Sequence, residues 1–300
     1  MEKIKNFALI FLLLFVFKAH ANFHFNWLGA TTSFITDGST VLSFDPFVTH
    51  PSYLDFLFNR EIATDPKLVA NWFKKGNIKK IDAIFVNHSH FDHILDVLPF
   101  HDLNKANVYG TLSTVNYSLG QGIDKKYLKQ VGHRDKFEFG KFKLTTLKAL
   151  HSPHVLDITL FDGEMKKPTK KRMKIWNMLT GGSRFYYFEH PSGNIFYHPI
   201  ARKSPYIKNY SKYKADILFL GIAARVDTAD QIEKVIKPIN PKVIIPLHWD
   251  NFYEPLQENP PHLPTVNMEE WMATIKKKIP NVKILMPKLA KWQPIQLDSK

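Results

Sequence analysis

Residues 87–93 read Asn-His-Ser-His-Phe-Asp-His, which places four side chains able to bind a metal ion within six positions. These residues are His88, His90, Asp92 and His93. Imidazole nitrogen and carboxylate oxygen suit zinc, and also iron or manganese, and a metal held by such ligands can activate water for hydrolysis. A polar surface turn would account for one such histidine. Four of these residues at His-x-His-x-Asp-His spacing instead predict a metal site, with zinc as the first choice.

The segment before this run indicates how the side chains would be positioned. Residues 81–86 are apolar and rich in β-branched and aromatic residues, which predicts a strand that is buried on both faces and ends near Asn87. In extended chain, residues two apart share a face, so the first two histidines would face one point while Asp92 and His93 face another. One loop could therefore serve two metal ions.

This motif after a buried strand resembles the metallo-β-lactamase superfamily. The resemblance implies the α/β class and a four-layer αββα sandwich. It also implies that residues 41–46 form an early strand whose Asp45 supports the metal-binding loop from behind. Segments similar to the family run from about Phe25 to Phe252.

Two further segments resemble the strand ends that supply the remaining ligands of the family. Residues 147–153 contain His151, the third histidine, and residues 244–250 contain His248, the last one. The Pro-x-His-Trp sequence around His248 is similar to the branch that contains ascorbate-phosphate lactonase and N-acyl phosphatidylethanolamine phospholipase D. The resemblance thus implies six metal ligands: His88, His90, Asp92, His93, His151 and His248.

One position departs from the family pattern. In the superfamily an aspartate that bridges the two metals usually follows a strand before the last histidine, but residues 195–201 carry no carboxylate and Ala201 stands at that position. Two cations about 3.5–4 Å apart would lose the anion that offsets their repulsion. The sequence leaves open whether the second metal site is occupied, and whether His198 replaces the missing ligand.

The ligands predict a mechanism. A cation held by the first two histidines of the motif and His151 leaves a position for water, whose pKa falls toward ~7 on zinc, giving hydroxide as the nucleophile at neutral pH. Asp92 would either bind a second ion or accept the proton of the water. His93 and His248 would act as proton donor or would stabilise the oxyanion.

The composition is that of one folded domain, residues 22–300. A chain of 300 residues with 44% hydrophobic residues can bury a substantial core. A Gly-rich phosphate loop and a Gly-x-Ser-x-Gly turn are both missing from the sequence, which argues against nucleotide binding and serine hydrolase chemistry. Strands are predicted near 23–28, 33–36, 41–45, 82–87, 107–110, 142–147, 156–161, 184–189, 195–198, 216–221 and 243–247. Helices are predicted around 53–75, 93–104, 229–237 and 268–278.

The N-terminus predicts export. Lys3 and Lys5 precede an apolar run, residues 7–17, and small residues flank a cleavage point after Ala21. This pattern is typical of a signal peptide, residues 1–21, and the run is short for a spanning helix, which needs about 20 residues. The chain contains zero cysteines, which excludes a lipoprotein anchor, disulfides and thiolate ligands. The expected location is the periplasm or the extracellular space.

The net charge is strongly positive, +14 for the whole chain and +12 without residues 1–21. The densest cluster is residues 166–174, where six of nine residues are Lys or Arg. This segment reads as a solvated surface loop, or as a contact with anionic lipid, cell-wall polymer or an acidic substrate. Trp176 beside it would be either a core residue or an interfacial anchor. Nucleic acid is not an expected partner of an exported protein.

Together these features predict an exported metal-dependent hydrolase that acts on an ester, lactone or phosphodiester, with a small-molecule or lipid-like substrate that is anionic. Two alternatives stay open: a phosphodiesterase acting on envelope lipid, and a non-catalytic sandwich protein that binds a metal or an anion. Hydrolysis of β-lactams is less favoured by the branch that the sequence resembles. The sequence does not decide the oligomeric state.

Overall fold

Two seven-stranded mixed sheets form the centre of the structure, a computed structural model that describes residues 23–153 and 158–297. The predicted signal peptide, residues 1–21, lies outside these ranges. Within them, every helix is too short or too polar to cross a membrane.

The strands are β1 (Phe23–Trp27), β2 (Ser33–Thr36), β3 (Val41–Phe44), β4 (Glu61–Ile62), β5 (Ala83–Phe85), β6 (Asn107–Gly110), β7 (Leu128–Gln130), β8 (Lys136–Phe139), β9 (Phe142–Ala149), β10 (Met173–Lys174), β11 (Ser183–Glu189), β12 (Ile195–His198), β13 (Ile217–Gly221), β14 (Val243–Leu247), β15 (Lys283–Ile284) and β16 (Gln293–Ile295). The α-helices are α1 (Tyr53–Leu57), α2 (Pro66–Lys75), α3 (Phe91–Ile94), α4 (Val97–Asp102), α5 (Leu112–Gln121), α6 (Thr228–Gln231), α7 (Lys237–Ile239) and α8 (Met268–Lys278). Short 3₁₀ turns occupy Lys125–Tyr127, Ile175–Asn177 and Tyr210–Tyr213, and a π-helical turn occupies Ile232–Ile236.

The two large sheets have the same arrangement of antiparallel and parallel strands. The first has the order β16-β1-β2-β3-β5-β6-β7 and the second β15-β14-β13-β12-β11-β9-β8, while β4 and β10 form a small separate pair. In each large sheet one end is antiparallel and the other, β3-β5-β6-β7 or β12-β13-β14-β15, is parallel. Parallel strands need cover on both faces, which explains why β5, β13 and β14 are buried at every residue.

Aromatic side chains join the two sheets face to face. The ring of Phe44 on β3 stacks on that of Tyr197 on β12 with centroids 4.1 Å apart, and the rings of Phe25 on β1 and Phe219 on β13 lie 5.9 Å apart. Such rings bury large apolar areas between the sheets, where aliphatic side chains pack beside them. The predicted α/β sandwich of the metallo-β-lactamase type is confirmed.

The predicted helix over 53–75 is wrong. The structure has two helices here, α1 and α2, with β4 between them. Asn59 has a left-handed backbone (φ +48°) that ends the first helix, and Asp65 caps the second, which starts at Pro66. Capping and proline chemistry therefore overrode the apolar periodicity of this segment.

Other boundaries differ less. The helix predicted over 93–104 is divided into α3 and α4, the helix over 229–237 contains a π-helical turn, and α8 has the predicted bounds. The predicted strand 156–161 is absent from its described part, 158–161, where Phe161 has a positive φ of +53° and the chain turns. Six short strands were not predicted from the sequence: β7, β8, β15 and β16 at the edges of the large sheets, and the separate pair β4 and β10.

Candidate metal centre

Three chain segments meet at one edge of the sandwich. The ligand atoms of His88, His90 and His151 all lie within 4.8 Å of one another. Those of His88, Asp92 and His93 do so as well. His88 and His90 follow β5, His151 follows β9, and His248 follows β14. Since these strands end at a shared edge of the sandwich, the loops after them can meet there.

The pairing of ligands differs from the one expected for an extended loop. Asp92 and His93 lie in the first turn of the short helix α3, for which His90 is the N-cap residue. His88 therefore belongs to both groups of ligands instead of one. The ligand atoms of the motif form one continuous cluster.

Asn87 sets the tautomer of His88. The amide nitrogen of Asn87 donates to the backbone oxygen of Arg184, so its side-chain oxygen faces Nδ1 of His88 at 2.6 Å. Because that oxygen can only accept, Nδ1 of His88 carries the proton and Nε2 carries the lone pair. Burial, followed by the neighbouring imidazoles, holds the pKa of His88 well below its usual value, so the ring is neutral as a metal ligand must be.

Backbone carbonyls orient two more histidines. Nε2 of His90 donates to the oxygen of Phe161 at 3.3 Å, and Nδ1 of His151 donates to the oxygen of Ser152 at 2.5 Å. Consequently Nδ1 of His90 holds a lone pair that faces Nε2 of His88 across 3.1 Å. Two acceptor nitrogens this close repel one another unless a cation lies between them, so the three imidazoles fit a metal ion.

Asp45 and Thr31 hold His93. A carboxylate oxygen of Asp45 lies 3.0 Å from Nδ1 of His93, and the hydroxyl of Thr31 lies 3.0 Å from the same nitrogen. The predicted supporting position of Asp45 is thus where the structure places it. Burial alone would lower the pKa of His93, but Asp92 and Asp45 raise it to about 10. In the metal-free protein this ring is therefore an imidazolium between two carboxylates.

Asp92 and His248 complete the cluster. Nε2 of His248 lies 3.1 Å from a carboxylate oxygen of Asp92, which is also 3.4 Å from Nε2 of His93. Burial would raise the pKa of Asp92, yet the charges and hydrogen bonds of His93 and His248 hold it well below its usual range. His248 has a left-handed backbone (φ +58°), and its N–H donates to the oxygen of Ala30.

His198 has a structural role and does not replace the missing carboxylate. Its Nδ1 donates to the backbone oxygen of Ile200 at 2.6 Å, and its Nε2 accepts from the hydroxyl of Tyr210 at 3.1 Å. The ring stacks on Phe185 with centroids 3.8 Å apart. Both nitrogens are therefore engaged away from the cluster. Ala201 is buried, and its oxygen accepts from the side chain of Gln231.

Sequence reasoning missed a buried carboxylate, Asp96, three residues after the motif. Asp96 accepts hydrogen bonds from the N–H groups of Val48 and Thr49 and from the hydroxyls of Thr49 and Thr64, at 2.5 to 2.7 Å. This clamp fixes the loop that begins at Asp45 against the helix that follows the metal motif. Its only signal in the sequence was an aspartate within the apolar run His93–Phe100, a position at which burial demands partners.

Comparisons with known proteins agree with this geometry. The β-lactamase superfamily domain matches residues 24–248, which is most of the chain. A UPF0173 metal-dependent hydrolase of Bacillus cereus is 26% identical to this chain over 206 residues, which cover 67% of this chain and 82% of the relative. One in Staphylococcus aureus is 26% identical over 211 residues, covering 68% and 83%.

A solved structure gives the same fold. The metallo hydrolase Igni18 from the archaeon Ignicoccus hospitalis superposes with a TM-score of 0.61 at 13% identity, over 92% of this chain and 100% of that chain. The sandwich, the cluster of ligands and the matched domain lead to one assignment. The chain belongs to the β-lactamase superfamily and is a metal-dependent hydrolase of the metallo-β-lactamase fold.

Proposed function

We propose that this protein is an exported hydrolase that cleaves an ester, lactone or phosphodiester at the cluster described above. The observation that carries the proposal is the set of three imidazoles, His88, His90 and His151, whose orientation is fixed by Asn87, Phe161 and Ser152 and whose ligand atoms lie within 4.8 Å of one another. Hydrogen bonds that orient metal-bound histidines are usual in functional metal sites. In a purely structural cluster, two acceptor nitrogens would not face one another across 3.1 Å as those of His88 and His90 do.

We assign the first ion to His88, His90 and His151, and a second, where present, to Asp92, His93 and His248. The donor set suits zinc, with iron and manganese as alternatives. A bound divalent ion would lower the pKa of a water molecule and polarise the bond to be cleaved.

The chain's own residues supply the proton transfers. Asp92 is ionised at neutral pH, so its carboxylate can accept a proton from water held at the cluster. His93 and His248 both contact this carboxylate through Nε2, which places them to pass a proton to a leaving group or to hold an oxyanion. The ring of Phe252 packs edge-on against that of His248, with centroids 5.0 Å apart, and helps to hold it in place.

The substrate class follows from charge and from the branch that the sequence resembles. Residues 166–174 give an exposed positive loop that favours an anionic substrate or surface. Similarity to the lactonase and phospholipase D branch supports lactones and phosphodiesters over β-lactams. The N-terminal pattern supports export to the periplasm or beyond.

The test combines metal content with turnover. The chain is purified without chelator, and its metals are measured by plasma mass spectrometry beside a His88→Ala, His90→Ala variant and a His24→Ala control. Chromogenic ester, lactone, phosphodiester and β-lactam substrates are then assayed with the same preparations. We expect about one or two ions per chain and turnover of at least one of the first three classes, both lost in the double variant and kept in the control.

Two results would count against this function. Bound metal without turnover of any class would favour a metal- or anion-binding protein. An absence of metal after reconstitution with zinc, iron and manganese would mean that the cluster is not a metal centre.

A further inference from the structure

An exposed apolar surface lies beside the metal centre. We call it the apolar platform, and its side chains are between 40% and 64% exposed: Tyr53, Leu54, Leu57, Phe58 and Trp176. Positions 53, 54 and 57 share one face of α1, and Phe58 follows directly as the C-cap residue of that helix. Several large apolar side chains grouped on a surface usually mark a binding site, whereas isolated ones are common on any protein.

Aromatic ring contacts and a hydrogen bond hold the platform in place. Phe56, on the inner side of α1, packs against Phe161 with ring centroids 6.0 Å apart, and Trp176 stacks on the same ring at 5.9 Å. The indole N–H of Trp176 donates to the oxygen of Phe56 at 3.0 Å. The exposed side chains are therefore presented by a fixed support.

Phe161 also connects the platform to the metal centre. Its ring lies 6.2 Å from that of His90, and its oxygen accepts from Nε2 of His90. Phe91, the residue after His90, has its ring 6.3 Å from that of Phe56. A molecule that rests on the platform is thus one aromatic layer away from the metal ligands.

Positive charge borders the platform directly. The cationic loop, residues 166–174, exposes all six of its Lys and Arg side chains. It is pinned to α5 by a hydrogen bond from Thr169 N–H to the oxygen of Asn116 at 3.2 Å. Its end, Lys174 on β10, pairs with Glu61 on β4, which follows α1. The apolar face and the positive charge therefore form one continuous surface.

We propose that the apolar platform and the cationic loop dock the protein on an anionic phospholipid bilayer. Apolar side chains of this kind enter the boundary between headgroups and acyl chains, while Lys and Arg contact the anionic headgroups. A second copy of this chain fits less well, because a two-fold pairing of the platform would bring two cationic loops together. Docking itself does not require hydrolysis; only the delivery of a lipid substrate to the metal centre rests on the proposed function.

The test uses the full chain with metal bound and two kinds of vesicle: phosphatidylcholine alone, and phosphatidylcholine with an equal share of phosphatidylglycerol. Since the apolar N-terminal run could bind lipid by itself, the readout must belong to the platform. That readout is quenching of Trp176 fluorescence by brominated acyl chains, taken as wild type minus Trp176→Phe. We expect Trp176-dependent quenching on the anionic vesicles and little on the neutral ones. No such quenching on anionic vesicles would overturn the proposal.

Matched variants separate the two parts of the surface. Replacing both Leu54 and Leu57 by Ser should raise the lipid concentration for half-maximal quenching about tenfold, while Val226→Ser, an equally exposed apolar residue outside the platform, should not. Replacing the lysines at 166, 167 and 170 of the cationic loop by Glu should weaken docking at least about tenfold. The same change at the exposed lysines 276, 277 and 278 of α8 is the control. Equal losses in the controls would mean general adsorption and would refute docking by this surface.

Two further measurements separate lipid docking from self-association and from metal binding. The first is sedimentation velocity without lipid. A dimer that is lost in the Leu54→Ser, Leu57→Ser double variant would assign the platform to a subunit interface and would overturn the proposal. Chelated protein should still dock, because none of the five platform residues is a metal ligand. Docking without hydrolysis of any substrate would count against the proposed function alone, whereas hydrolysis without docking would count against this inference alone.

Discussion

Asn87 should control metal affinity without binding metal. Its side-chain oxygen fixes the proton of His88 on Nδ1, and its amide nitrogen donates to the oxygen of Arg184. His88 belongs to both groups of ligands, so its tautomer matters whether one ion binds or two. We therefore consider two substitutions that separate these contacts, Asn87→Leu and Asn87→Asp.

Asn87→Leu keeps the approximate shape of the side chain and removes both hydrogen bonds. His88 then loses the acceptor for Nδ1–H and can adopt the tautomer in which Nε2 carries the proton and cannot bind metal. Loss of such an orienting partner typically lowers metal affinity about 10- to 100-fold, or about 1.4–2.7 kcal/mol. The oxygen of Arg184 also loses its donor, so we expect the metal-free protein to lose about 1–3 kcal/mol of unfolding free energy.

Asn87→Asp should separate the two effects. The carboxylate still accepts from Nδ1 of His88, so metal affinity should equal or exceed that of the wild type. The donor to Arg184 is gone, however, and two oxygens now face one another, so the metal-free protein should still be less stable.

Metal affinity is measured by competition with a chromophoric chelator, and stability by urea unfolding of chelated protein. The reasoning fails if Asn87→Leu binds metal as tightly as the wild type, or if Asn87→Asp loses as much affinity as Asn87→Leu. Either result would mean that other contacts determine the orientation of His88.

Two more predictions concern stability. Asp96→Ala leaves two N–H groups and two hydroxyls without their buried acceptor, so its free energy of unfolding in urea should fall by about 3 kcal/mol or more. Thr64→Val removes only one donor and should cost about 1 kcal/mol. Equal losses in the two variants would contradict the role of Asp96 as a clamp. Burial lowers the pKa of His198 to about 3 from an ordinary value near 6.5, so the unfolded chain takes up this proton first and stability falls as the pH falls from about 6.5 toward 3. Between pH 6 and 4 chelated wild type should lose up to about 1.4 kcal/mol per pH unit more than His198→Asn, and parallel slopes in urea unfolding would refute a neutral buried His198.

The sequence predicted the ligands better than the groups that orient them. The histidines were recognisable because their type and spacing are rare, and because each follows an apolar strand. The acceptors for His90 and His151 are backbone oxygens of Phe161 and Ser152, and any residue could supply such an oxygen. Only the folded chain places them, so their positions could not be predicted from residue types.

Helix boundaries failed for a related reason. In residues 53–75 the apolar periodicity continues across a break that Asn59 and Asp65 impose through local backbone chemistry. The break separates α1, whose outer face is apolar, from α2. The platform therefore could not be predicted while this segment was treated as one helix. A pattern that identifies buried faces cannot distinguish them from a face exposed for binding.

The charges of the cluster bear on how many ions it holds. In the metal-free protein Asp45 and Asp92 are opposed by one imidazolium, His93, which leaves a single net negative charge among these three residues. One divalent ion at His88, His90 and His151 would turn this single negative charge into a single positive one and would leave the proton on His93 in place. A second ion must displace that proton from between two carboxylates, and Ala201 supplies no anion to offset the added charge. His198, bound to Ile200 and Tyr210, does not make up the deficit. The arrangement therefore favours the first ion over the second, and it leaves Asp92 able to accept a proton.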